Sequence, residues 1–279
     1  MEFFIEPFAA SFVFRALIAG CLAAVLCALI GTWVILRRLS FFGDAMSHGM
    51  LPGVAIASLL GGNLMIGAGI SALIMSGGVV WTARKSTLSQ DVSIGLQFIT
   101  MLSLGVVIVS RSDSQAVDLT AFLFGDILGV RTVDIYLIIA AVLVGALMLW
   151  IFHRPFLALT FDERKAHTLN LHPRLTHLIM LILIALATVV SFQIVGTLLV
   201  FGLLIGPPAT ACILASHTGR IPLIMALAAA LGCAEIYSGL LISWHANTAA
   251  GATITLLSAV IFFICLLTKN VISKLNCNA

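Results

Sequence analysis

Asp44 and His48 stand in the run Phe42-Gly43-Asp44-Ala45-Met46-Ser47-His48-Gly49. Side chains four apart leave a helix on one face, a turn from each other. A carboxylate oxygen and an imidazole nitrogen so placed can hold one divalent ion of intermediate hardness. Gly43 and Gly49 leave room for close backbone approach, and Leu51-Pro52-Gly53 breaks the helix just beyond. The same spacing suits an Asp–His hydrogen bond that merely packs a polar pair. Two ligands do not complete a site, so further donors must come from elsewhere.

Three other groups carry chemistry. Glu235, with Cys233 and Tyr237 nearby, reads as a transient metal ligand or proton carrier, or as a structural hydrogen bond to Tyr237 or a neighbouring helix. Asp126, in Phe124-Gly125-Asp126, lines a path or caps a helix N-terminus, and capping is the preferred reading. His245, in Ser243-Trp244-His245-Ala246-Asn247, is placed to help capture a cation, although Trp244 at a span end fits an aromatic belt better. Cysteines 21, 27, 212, 233, 265 and 277 form no CxxC pair, and five lie in apolar runs, where a thiol acts as a small hydrophobe. There is no GxxxxGK[ST] loop to cradle ATP, and no HExxH or GxSxG for hydrolysis. Energy input is therefore expected from a partner or an ion gradient.

These residues sit in an oily chain. Of 279 residues, 61% are hydrophobic and 9% charged, with a mean hydropathy of +1.19. Soluble domains average about 45–50% apolar and about 25% charged residues, and 11 acids with 14 bases could not cover a water-soluble surface of this size. Composition thus excludes a soluble enzyme, a disordered protein and a secreted disulfide scaffold. The net charge of +3 is dispersed, with no contiguous basic surface for nucleic acid. The expected fold is all-α: one polytopic transmembrane domain over residues 1–279, with about 8–9 spans. Met1–Ala10 holds Glu2 and Glu6 but no Lys or Arg, so the first apolar run is expected to be retained as a span.

A crossing needs about 20 apolar residues. Candidates are Phe12–Leu36, Asn63–Thr82, Val92–Ser110, Val133–Phe152, Leu175–Val195, Gly196–Ser216, Ile221–Ser243 and Ala250–Thr268, with a shorter ninth over Asp44–Leu60. Ala116–Val130 is too short to span and reads as a re-entrant or interfacial helix. Gly206-Pro207-Pro208-Ala209, inside a span, is expected to kink or unwind it, as broken helices beside transport sites do. With nine crossings and the loop 153–174 in the cytoplasm, Arg37, Arg38, Arg84, Lys85, Arg154, Arg164, Lys165, Arg174, Arg220, Lys269 and Lys274 face inward, against Arg111 and Arg131 outward. In that loop Thr160, followed three residues later by Glu163, has the pattern of a capping box for a short helix, with Phe161, Ala166 and Leu169 as its apolar contacts. Docking against another protein suits such a helix, and so does a seat on lipid headgroups.

From about Phe12 to Thr268 the chain resembles the permease subunit of ATP-binding-cassette importers for manganese, zinc and iron. Its most specific signature is Leu36-Arg37-Arg38-Leu39-Ser40 followed by Gly43-Asp44-Ala45-Met46-Ser47-His48 and Leu51-Pro52-Gly53. Leu123-Phe124-Gly125-Asp126-Ile127-Leu128, Thr160-Phe161-Asp162 with Ala166 and Leu169, and Val195-Gly196-Thr197-Leu198-Leu199-Val200 through Pro208-Ala209-Thr210-Ala211 follow in family order. Asn170 stands where members often have Gly, and Asn247 and Ala249 where the outer loop commonly has Asp and Pro. The resemblance implies a multi-pass protein of the bacterial inner membrane, with Asp44 and His48 lining the metal path and no cofactor of its own. It implies that Thr160, Phe161, Asp162, Ala166 and Leu169 dock on a separate ATPase, so the chain is a transport subunit and not itself an enzyme. Further implied partners are a second permease subunit, identical or closely related, and an extracytoplasmic metal-binding protein. The competing readings are a self-sufficient proton-coupled carrier using Glu235 or Asp126, and a membrane-embedded metalloenzyme.

Overall fold

The computed structural model describes residues 11–85, 89–110, 129–161, 171–215 and 219–277, and among them the secondary structure is helical with no strand. Eight helices are long and apolar enough to cross a membrane. They are α1 (Ser11–Leu36), α4 (Leu64–Lys85), α5 (Gln90–Ser110), α6 (Thr132–Ile151), α8 (Pro173–Val195), α9 (Thr197–Leu214), α10 (Ile221–Ala246) and α11 (Ala250–Cys277). Three are short: α2 (Ser40–Gly49), α3 (Leu51–Leu59) and α7 (His153–Phe161). The long helices match the eight long apolar runs closely, because in hydrocarbon only a helix satisfies every backbone group internally.

The ninth, shorter run becomes α2 and α3. They hold 10 and 9 residues joined at Met50, which keeps right-handed helical angles (φ −77°, ψ −19°). At 1.5 Å per residue the pair reaches about 30 Å, the thickness of a bilayer core. Its neighbours confirm that it runs the full length. Gly53 meets Gly67 and Gly49 meets Met75, so α4 lies antiparallel to α2–α3. Phe41 packs on Phe98 at 6.3 Å between ring centroids, and Leu51 meets Gly105, so α5 lies parallel to it. At the Gly53–Gly67 crossing a Cβ on either residue would collide with the other's carbonyl, so only glycine permits that approach.

Similar pairings orient the rest. Gly20 against Ile236 and Ala24 against Gly232 set α1 antiparallel to α10. Leu26 against Gly145, with Trp33 against His153, sets α6 parallel to α1. Gly239 against Ile254 turns α11 back along α10, and Gly202 and Gly206 against Thr255 and Ser258 set α9 parallel to α11. The described residues therefore alternate through nine passes, with α1 and α11 running the same way. Arg37, Arg38, Lys85, Arg154, Arg174, Arg220 and Lys269 gather at one end of the bundle, while Arg15 and Arg131 lie toward the other. That asymmetry marks the first end as cytoplasmic.

One expectation is narrowed and one is corrected. Pro207 and Pro208 do not unwind their span, since α9 stays helical through both. The ring nitrogens remove the donors that would reach the carbonyls of Leu203 and Leu204, and the Leu204 carbonyl packs against Gly31 of α1, where a side chain would collide with it. Thr160 does not open a helix. It lies in the last turn of α7, its hydroxyl donating to the Phe156 carbonyl (2.8 Å). Pro155 is tolerated in a first turn, so the helix starts at His153 and Thr160 falls at its end. Asp162, Ala166 and Leu169 lie outside the described residues, as does Ala116–Val130 with Asp126, apart from Gly129 and Val130.

Candidate functional site

A tight reversal after α1 sets the direction of α2. Arg38 takes a left-handed conformation (φ 56°), and the Leu39 amide donates to the Val34 carbonyl at 2.9 Å. Phe42, Gly43, Ala45, Met46, Ser47 and Gly49 are buried, Gly43 against the Leu204 side chain. The far end of α2 is pinned where the Ser71 hydroxyl donates to the Gly49 carbonyl (2.8 Å).

This rotation leaves Phe41, Asp44 and His48 on the face turned away from the protein's own core. Phe41 is 45% exposed, and Asp44 and His48 are half-buried. The His48 ring meets Phe98 edge-on, with centroids 5.7 Å apart. Neither the Asp44 carboxylate nor the His48 imidazole hydrogen-bonds to another described residue. The Asp44–His48 hydrogen bond that would tie up a polar pair is thus absent among the described residues. Sequence reasoning missed Phe98 and Ser71, which shape and anchor the site from other spans and carry no local signal.

Glu235 occupies a different place. It is 0% exposed on α10, and the α10–α11 register that sets Gly239 on Ile254 sets Glu235 opposite Ser258. Both carboxylate oxygens and the Ser258 hydroxyl lack a hydrogen-bond partner among the described residues. Tyr237 is 38% exposed and is not the partner of Glu235. Among the described residues no three His, Cys, Asp or Glu side chains come together, so Glu235 does not complete the Asp44–His48 pair.

At the outer end, Trp244 packs on Phe12 (6.3 Å between centroids) beside a cavity of about 600 Å³ lined also by Ser243, Asn247 and Thr248. His245 is exposed. Asn247 ends α10 in a left-handed conformation (φ 52°) and its amide donates to the Ser243 carbonyl. Asparagine tolerates that conformation well, so its visible role is to terminate the helix.

Residues 9–269 match the ABC 3 transport family. The chain is 37% identical over 257 residues to "Manganese transport system membrane protein MntC" of Listeria innocua, covering 92% of this chain and 90% of that protein. It is 34% identical over 268 residues to "Probable iron transport system membrane protein" of Haemophilus influenzae, covering 95% and 96%. Among solved structures it superposes on "PsaBC from Streptococcus pneumoniae in complex with Fab" with a TM-score of 0.81, at 31% identity and 94% coverage of both chains. Matched from the first described span to the end of the last, this multi-pass membrane protein belongs to the ABC 3 transport family.

Proposed function

We propose that the chain is the permease of an ATP-driven importer that brings a divalent transition metal, Mn²⁺, Fe²⁺ or Zn²⁺, into the cytoplasm. The observation that carries this is the Asp44–His48 pair: two donors one turn apart, unbonded among the described residues, facing out of the protomer's core on a helix fixed from behind. The manganese and iron transport relatives support the metal class. A divalent ion takes four or more ligands, and one chain presents two. A two-fold partner presents the same face, so paired subunits supply two carboxylates and two imidazoles around one path.

Energy enters through a separate ATPase docked on the loop that begins at Thr160 and Phe161 and continues through Asp162, Ala166 and Leu169. An extracytoplasmic binding protein delivers the ion to the outer end. Oxygen and imidazole donors without a thiolate suit all three metals. Glu235, enclosed between spans of one protomer, lies off this path.

The test is Mn²⁺ uptake by the chain reconstituted with its ATPase and supplied with the metal-binding protein. Asp44→Ala and His48→Ala are expected to abolish uptake with assembly intact. The loss should exceed the about 10–100-fold that removing even an outer-shell partner of a metal ligand costs. Wild-type rates in both variants would remove the site. Uptake by the chain alone, without ATP, would favour the self-sufficient carrier.

A further inference from the structure

We propose that Trp33, seated against His153 and Phe156, is the joint through which movement of the docking loop reaches the helix carrying Asp44 and His48; this rests on the importer reading above. Trp33 lies near the inner end of α1 and Phe156 on the buried side of α7, and both are 0% exposed. Their ring centroids are 5.5 Å apart, with His153 edge-on to the indole at 5.7 Å and Phe152 backing Phe156 at 6.1 Å. The indole Nε1 has no hydrogen-bond partner among the described residues. A buried indole N–H ordinarily finds an acceptor, so this side chain is placed by ring contact.

On one side of the joint stands α7, a single rigid helix whose last turn holds Thr160 and Phe161, where the docking segment starts. On the other side there is no slack. The Arg37 amide donates to the Trp33 carbonyl and the Leu39 amide to that of Val34, both at 2.9 Å. α2 then begins at Ser40, and Asp44 follows one turn later. Gly31 and Gly43 both rest on Leu204, which ties the end of α1 to the start of α2. A push on α7 meets a close-packed interior, which shifts as a body rather than deforming gradually. It therefore turns α1 and α2 together and changes the aim of Asp44 and His48. Trp33 and Phe156 are positioning residues that touch no ion.

The experiment uses the complex of this chain with its ATPase in proteoliposomes, supplied with the metal-binding protein and with Mn²⁺ as the probe, measuring uptake and ATP hydrolysis together. Phe156→Ala is expected to keep hydrolysis near wild type and to lower Mn²⁺ delivered per ATP by about tenfold, within the usual range of coupling between sites. Trp33→Phe, which keeps a ring in place, should retain most of the ratio. Phe156→Leu fills the space without a ring and carries the comparison if alanine disturbs assembly. Combined with Trp33→Leu it should lower the ratio no further than either change alone, the mark of a shared interaction. Uptake and hydrolysis falling in the same proportion would reduce the cluster to packing and overturn the proposal, as would an unchanged ratio in both Phe156 variants. A wild-type complex that hydrolyses ATP without taking up Mn²⁺, Fe²⁺ or Zn²⁺ overturns the importer reading instead, a result visible before any variant is compared.

Discussion

Six of the residues of α2 from Phe42 to Gly49 are buried against other spans, which leaves Asp44 and His48 one direction to face. Their chemistry was legible in the sequence because the spacing of four is local. Their freedom from hydrogen bonds was not, since it depends on α4, α5 and α9 being the neighbours they are. Glu235 shows the opposite case. Sequence marks it as costly in a bilayer, yet among the described residues its surroundings contain no basic group to pair with it. On α1 the nearest is Arg15, a turn beyond the Gly20–Ile236 contact; α9 has none, and on α11 the first is Lys269. Burying an isolated ionised carboxylate costs far more than burying a neutral amide of the same shape. Glu235→Gln is therefore expected to leave Mn²⁺ uptake at wild-type levels and the thermal unfolding midpoint unchanged or higher. Uptake lost with the midpoint preserved would return Glu235 to the transport path.

At the scale of helices, ends are set by single backbone conformations. The hairpin between α10 and α11 depends on Asn247 at φ 52°, with the Ser243 hydroxyl donating to the Thr248 carbonyl at 2.6 Å. A left-handed conformation costs most side chains about 1–2 kcal/mol, and a β-branched one more. Asn247→Val should lower stability by about 1–2 kcal/mol, read as an earlier thermal transition in detergent, while Asn247→Gly should be near neutral. Equal effects from the two would mean that the Asn247 side chain, and not its backbone, secures the turn. The span limits were readable because hydropathy follows the crossing directly. The end of α7 was not: the Thr160–Glu163 pattern signals a start, but the buried Phe156 and Trp33 hold one helix through Thr160, and contacts between residues 123 positions apart leave no local trace. The intact helix at Pro207 and Pro208 was hidden for the same reason, since Gly31 lies on another span.

For the whole molecule, everything turns on whether α2–α3 counts as a crossing. If it crosses, nine passes put the start of α1 and the end of α11 on opposite sides, and the basic residues of the described chain collect at the cytoplasmic face. If it dipped and returned, the end of α1 and the start of α4 would share a side. Arg37 and Arg38 would then be parted from Lys85, against the charge rule. The Gly61–Gly62 turn between α3 and α4 decides the matter. Gly62 is exposed and meets only the Ala57 carbonyl, 3.6 Å from where a side chain would begin, so a cysteine there is tolerated and reachable. In a background with the native cysteines replaced, Gly62→Cys is expected to react with a membrane-impermeant maleimide added to intact cells. Arg220→Cys, at an exposed position with extended backbone just before α10, should react only after the cells are opened. Labelling of both from the same side would leave α2–α3 a re-entrant element, and Asp44 and His48 would then open to one face of the membrane instead of standing between two.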